Sequence, residues 1–142
     1  MKERFIEAGE VVKAGCFQVD FIHVNHSIAD AVAFAVKTPV GTLVFSGDFK
    51  IDAMAEDGMI DLARLGQLGN EGVLAFLCDS TNVERGGYTM SEKTVGETFN
   101  SFFPKAEGRI IIAMFASNVH RIQQVVDSAQ HYGRKGCLTR RS

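Results

Sequence analysis

Two side chains in this sequence have the types and setting for metal chemistry. His26 lies in His23-Val24-Asn25-His26-Ser27, and Asp48 lies in Gly47-Asp48-Phe49-Lys50. An imidazole and a carboxylate delivered from successive strand ends can converge on one cation, and that donor pair suits Zn²⁺ or Mn²⁺. A carboxylate can also bridge two metal ions. Taken singly, each has a plainer reading: a lone histidine is more often structural, and an aspartate after glycine is more often a turn former. Asp79, at the head of Asp79-Ser80-Thr81-Asn82, is a third acid at a strand end. It reads either as a turn or cap residue or as a carboxylate that orients a histidine elsewhere. Ser117-Asn118 falls between a strand and a helix, where free N–H groups and the positive end of the helix dipole can hold an anion. Arg121 follows one turn inside. Ordinary N-capping by Ser or Asn accounts for the same pair equally well.

These residues need elements to carry them. Residues 16–24 alternate with a period near two, which predicts a strand. Residues 28–36 are mostly small and apolar and predict a short buried helix. Thr38-Pro39-Val40-Gly41 is a turn, because proline fixes its own φ and glycine admits a positive one. Residues 42–46 form a short buried strand that Gly47 to Lys50 closes as a loop. Residues 61–68 predict a helix with Asp61 as N-cap and Gly69 as its stop. Residues 72–78 are a second apolar strand ending at Asp79, and Gly86-Gly87 breaks the pattern. A helix begins at Ser91 and ends near Phe103, before Pro104. Residues 109–115 have the strongest strand signal, an unbroken apolar run expected to be buried on both faces. Residues 118–132 predict a helix with Ile122, Val125, Val126 and Ala129 on one stripe, ended by Gly133.

Strands alternating with helices indicate an α/β architecture. His26, Asp48, Asp79 and Ser117-Asn118 all fall just past apolar strands, where open α/β sheets place their sites.

Bulk properties narrow the function classes. The 142 residues are 46% hydrophobic and 23% charged, which excludes a disordered chain and suits one ordinary domain. The net charge of −2 does not announce a nucleic-acid binder, although positive potential can be concentrated in one groove. Arg134, Lys135, Arg140 and Arg141 crowd the C-terminus and read first as a solvated end. Cys16, Cys78 and Cys137 are widely spaced, with no C-x-x-C pair. That usage suits a reducing, cytoplasmic setting rather than a disulfide framework. No apolar run approaches 18 residues, so neither a membrane-spanning helix nor a signal peptide is expected.

Five blocks occur in order: Phe21-Ile22-His23-Val24-Asn25-His26-Ser27-Ile28, Thr38-Pro39-Val40-Gly41, Gly47-Asp48-Phe49-Lys50-Ile51-Asp52, Asp79-Ser80-Thr81-Asn82, and the run from Phe115 to Gln124. Together they resemble bacterial ribonuclease J, in the β-CASP branch of the metallo-β-lactamase superfamily. The resemblance covers nearly the whole chain. It implies that His26 binds one catalytic metal, that Asp48 bridges two zinc ions, and that Asp79 positions a later histidine. It implies that Ser117, Asn118 and Val119 contact RNA. It further implies a 5′-to-3′ exonuclease and endonuclease that hydrolyses phosphodiesters in RNA maturation and decay. The expected substrate is 5′-monophosphorylated RNA, and the full-length protein is expected to be a homo-oligomer.

The departures carry expectations too. The family's H-x-H-x-D-H metal motif is expected N-terminal to Met1, and the later β-CASP histidines beyond Ser142. The chain is therefore expected to be an interior piece of a longer enzyme. Residues 1–82 would be the C-terminal portion of the first metallo-β-lactamase segment, part of an αββα sandwich. Residues 83–142 would open the β-CASP α/β domain. Arg140 stands where the family usually has glycine. With one histidine and one aspartate of a di-zinc site, the isolated chain is expected to bind zinc weakly and not to cleave RNA. With incomplete cores, apolar edges such as residues 109–115 are expected to invite aggregation. Two other readings remain: a catalytically inactive RNA-binding module, and a lactamase-fold hydrolase of another substrate.

Overall fold

Alternating apolar residues draw the first part of the chain into an antiparallel meander. Strands β1 (Val11–Ala14), β2 (Phe17–His23), β3 (Val32–Thr38) and β4 (Gly41–Phe45) pair in chain order. Helix α1 (Leu62–Glu71) then crosses over, and β5 (Ala75–Leu77) lies parallel beside β4. A parallel neighbour requires such a long connection. Helices α2 (Lys93–Phe102) and α3 (Val119–His131) follow, with a short 3₁₀ turn, Phe103–Lys105, after α2. The fold is mixed α/β: a five-stranded sheet in the order β1-β2-β3-β4-β5 with three helices. The computed structural model describes residues 3–52, 54–55 and 58–139. The expected basic pair Arg140 and Arg141 lies outside them.

The core sits on one face of the sheet. Ile22 lies opposite Ala33, and Ala35 opposite Val44, so the register places these side chains on one surface. Val24, Ile60 and Leu68 of α1 complete the cluster. Burying a side chain such as Ile22 or Leu68 contributes roughly 1.5–3 kcal/mol. Ala33 and Ala35 carry no bulk, which lets α1 approach the strands. Asp61 caps α1 by accepting the Arg64 amide at 2.9 Å. The Arg64 Nε donates to buried Asp20 at 2.7 Å, and this hydrogen bond raises the guanidinium pKa above its usual value. On the opposite sheet face Phe21 and Phe34 pack edge to face, 5.4 Å between ring centres.

Helices α2 and α3 pack on each other. Phe103 is buried between Phe99 and Tyr132, with ring centres 6.1 and 6.2 Å away. The Tyr132 hydroxyl donates to the Asn100 carbonyl at 3.0 Å.

Four expectations are corrected. Residues 28–36 do not form a helix: Val32–Thr38 is a strand that pairs with β2 and β4 on its two sides. Small apolar residues are compatible with either element, and the two flanking strands decide the outcome. Helix α1 does not stop at Gly69 but runs to Glu71, where Gly72, at φ +94°, donates its amide to the Leu68 carbonyl. Strand β5 is shorter than residues 72–78 and exposed throughout. Residues 109–115 form no strand, and Ile111 and Phe115 are 91% and 85% exposed. A strand buried on both faces needs strands to pair with, and none of the described strands adjoins this segment. The brief strand β1 was not predicted; four residues closed by a turn at Gly15, φ +62°, give little periodic signal.

Candidate functional site

Asn25 fixes the segment that carries His26. It is 1% exposed, and its side chain accepts the Ile60 amide at 3.0 Å and donates to the Gly58 carbonyl at 2.6 Å. Its own carbonyl accepts the Lys50 amide at 2.8 Å in an isolated antiparallel bridge. The bridge joins a neighbour of His26 to the loop that bears Asp48.

That loop leaves β4 through Gly47, whose φ of +59° favours glycine. A Cβ there would also stand 3.2 Å from the Val32 carbonyl oxygen. Ser46, just before it, is buried and ties two strand ends together. Its amide donates to the Leu77 carbonyl at 2.9 Å. Its hydroxyl donates to the Gly47 carbonyl at 2.7 Å and accepts the Asp79 amide at 2.8 Å. Asp48 and Asp79 therefore emerge side by side from the ends of parallel β4 and β5. They line an open depression of about 440 Å³ together with Gly47 and Cys78.

His26 and Asp48 meet: Nε2 and Oδ2 are 3.7 Å apart, with the imidazole 33% and the carboxylate 77% exposed. Asp79 lines the same depression as Asp48. Its Oδ1 accepts the Thr81 hydroxyl at 2.6 Å and the Thr81 amide at 3.0 Å. These two bonds, with smaller contributions from the Phe49 amide and the charge of nearby His26, hold the Asp79 carboxyl below the usual range. Its carboxylate is ionised, and so an acceptor, at neutral pH.

The pair can be tested against a metal. Two donors bound to one tetrahedral zinc at about 2.1 Å each stand ~3.4 Å apart. The observed 3.7 Å needs only a small side-chain adjustment, and both donors are exposed enough to turn. The pair fits as part of a coordination shell. Among the described residues no group of three or more His, Cys, Asp or Glu side chains is arranged to hold a metal.

Ser117, Asn118 and Val119 lie elsewhere, at the start of α3. Asn118 is buried and is the N-cap, accepting the Arg121 amide on Oδ1 at 3.1 Å. Ser117 and Val119 are exposed. The Arg121 guanidinium is engaged with Glu92 through Nε at 3.2 Å and Nη2 at 2.7 and 2.8 Å. Among the described residues no hydrogen bond or ion pair joins His26 or Asp48 directly to these three residues.

An indirect link exists, through residues that sequence reasoning passed over. The Lys50 ammonium stands 3.2 Å from Asp52 Oδ2 and 3.6 Å from Glu92 Oε1. Asp52 is 4% exposed. Burial alone would raise its carboxyl, but bonds from Ser91, the Met54 and Glu92 amides and Lys50 outweigh that and hold it at about 2. Lys50 and Asp52 stand in the quoted Gly47 to Asp52 block, yet no sequence pattern reveals that their partner is Glu92. Asn25 and Ser46 were likewise invisible as anchors, because burial is what gives them that role.

The three cysteines are unpaired and exposed. Among the described residues no helix is long and apolar enough to cross a membrane.

Comparison with known proteins agrees with the five sequence blocks. The ribonuclease J β-CASP domain family matches residues 107–142. The chain is 43% identical over 145 aligned residues to ribonuclease J of Mycolicibacterium smegmatis, covering 100% of this chain and 26% of that protein. It is 39% identical over 140 residues to ribonuclease J of Helicobacter pylori strain J99, covering 98% and 20%. With the Thermus thermophilus ribonuclease J the identity is 42% over 127 residues, covering 89% and 22%. The chain thus spans about a quarter or less of the length of these relatives. A crystal structure of a protein of unknown function from Enterococcus faecalis V583 shares the fold, with a TM-score of 0.67 at 15% identity over 89% of this chain and 31% of that one. From these matches, and from the five blocks that carry His26, Asp48, Asp79 and the start of α3, the chain is similar over nearly its whole length to a part of ribonuclease J, and its residues 107–142 match the ribonuclease J β-CASP domain.

Proposed function

We propose that this chain is part of a metal-dependent ribonuclease that hydrolyses RNA phosphodiesters, with His26 and Asp48 among its metal ligands. The observation that carries the reading is the approach of His26 Nε2 to Asp48 Oδ2, 3.7 Å, from strand ends that Asn25 and Ser46 anchor. Zinc bound there, two ions in the full-length protein, would supply a Lewis acid that polarises a phosphoryl oxygen. Asp48, 77% exposed, keeps lone pairs available for a second ion. Asp79, held ionised, can accept an imidazole N–H and so fix the tautomer and direction of a histidine supplied from outside this segment. Ser117 and Val119 present an exposed helix start to the RNA backbone, and Asn118 holds that start in shape by capping it.

The reading extends to the longer protein. Residues 1–82 would belong to its metallo-β-lactamase part and residues 83–142 to the opening of its β-CASP domain. The substrate would be 5′-monophosphorylated RNA, degraded from the 5′ end or cut internally, in the cytoplasm, by a homo-oligomer. The decisive experiment is cleavage of 5′-monophosphorylated RNA by the full-length protein. Asp48→Ala should lower the rate by at least a hundredfold while the protein stays folded. Unchanged cleavage by that variant would remove the metal role of Asp48.

A second reading has one observation in its favour: no ligand group of three or more is found among the described residues. On that reading the protein binds RNA without cleaving it. Binding that persists unchanged when divalent metal is chelated, with no cleavage when zinc is restored, would select it.

A further inference from the structure

We propose that Glu92 is a positioning residue that holds the Asp48 loop and the start of α3 in one fixed relation. The roles of those two segments, metal holding and RNA contact, rest on the functional reading above; the coupling itself rests on geometry. Each polar group of Glu92 is engaged. Its amide donates to Asp52 Oδ2 at 3.2 Å, and its carbonyl accepts Gln124 Nε2 at 3.3 Å. Its carboxylate accepts the fork of Arg121 at 2.7–3.2 Å and faces the Lys50 ammonium at 3.6 Å. One side of the residue therefore grips α3 and the other grips the loop.

The chemistry favours a rigid link. A bidentate guanidinium–carboxylate pair fixes orientation as well as distance. Lys50, Asp52 and Glu92 are 19%, 3% and 23% exposed at their side chains, so water screens the group less than it would a surface pair. Two acids and two bases balance within it. The Lys50 amide continues the connection to Asn25, the neighbour of His26. The path from Arg121 to His26 is thus a run of direct bonds and ion pairs, in a chain where these residues are far apart in sequence.

The test is amide hydrogen exchange on the full-length protein, read at two bonded amides. Lys50 N–H donates to the Asn25 carbonyl at one end, and Ile122 N–H to the Asn118 carbonyl at the other. Glu92→Gln keeps the shape and removes the charge; Arg121→Lys keeps the charge and loses the fork. Each should speed exchange about tenfold at both amides. In the Glu92→Gln background, Arg121→Lys should add nothing further at Lys50, because its effect travels through Glu92. Thr98→Ala, on α2, should leave both amides unchanged. Acceleration at Ile122 alone after Arg121→Lys would overturn the coupling. So would an even acceleration that includes the β2–β3 amides, which is plain loss of stability. Should Glu92→Gln fail to fold, the Lys50 response to Arg121→Lys decides alone. No RNA or metal enters the measurement, so failure here leaves the ribonuclease reading standing, and failure of RNA cleavage leaves this coupling standing.

Discussion

The hydroxyl of Ser46 accepts the Asp79 amide at 2.8 Å while donating to the Gly47 carbonyl at 2.7 Å. One buried side chain thereby sets the spacing of two acid-bearing strand ends. Ser46→Ala should leave the Asp79 amide without its partner and cost about 1–3 kcal/mol. Chemical denaturation of the chain measures it, and a change below about 0.3 kcal/mol would mean that the bond contributes nothing.

Asn25→Ala removes both side-chain bonds that hold residues 58–60 against the His26 segment. The Ile60 amide loses its partner inside the core, whereas Gly58 is exposed and its carbonyl can turn to water. A destabilisation of about 2–4 kcal/mol is expected, larger than that of Ser46→Ala. Equal melting temperatures for the two variants would contradict the ranking.

Asp52 gives the fold an acid limit. Its folded pKa of about 2 lies below the ordinary carboxylate value of 3.8. The ionised form is therefore the one that the fold stabilises. The contribution is fully present above the unfolded pKa, is lost as pH falls from about 4 to about 2, and amounts to roughly 2 kcal/mol. Asp52→Asn should flatten the stability curve through that window. A variant as acid-sensitive as the parent would assign the limit to other groups.

Zinc should bind the 142-residue chain weakly, because among the described residues His26 and Asp48 supply two donors and no group of three or more is arranged to hold a metal, which leaves water to fill the remaining positions. Isothermal titration should show no stoichiometric high-affinity event. Tight binding abolished by Asp48→Ala would sink this expectation and reveal a more complete site.

Ile111, 91% exposed, should accept a charge without cost to the fold. Ile111→Lys is expected to change stability by less than about 0.5 kcal/mol and to lower aggregation. A loss of several kcal/mol would show that residues 109–115 are packed as a strand in solution.

Much of the site was written in residue type and local spacing. His26, Asp48 and Asp79 each follow an apolar strand, and alternation with a glycine turn suffices to mark such positions. The cap at Asp61 and the helix beginning after Asn118 were equally local, since a capping side chain bonds the amide three residues on. The five ordered blocks carried the resemblance to ribonuclease J. Tertiary structure decided what depends on partners far along the chain. Residues 28–36 became a strand because strands lie on both sides of them, and residues 109–115 did not because none of the described strands does. Asn118 could serve as cap or anion site by sequence; the fold gives it the Arg121 amide and gives the Arg121 side chain to Glu92. Ser46 and Asp79 are 33 residues apart, and Glu92 and Arg121 are 29 apart. Hydrogen bonds act over a few ångströms of space, and sequence separation carries no information about which distant polar groups the packed core will bring within that range.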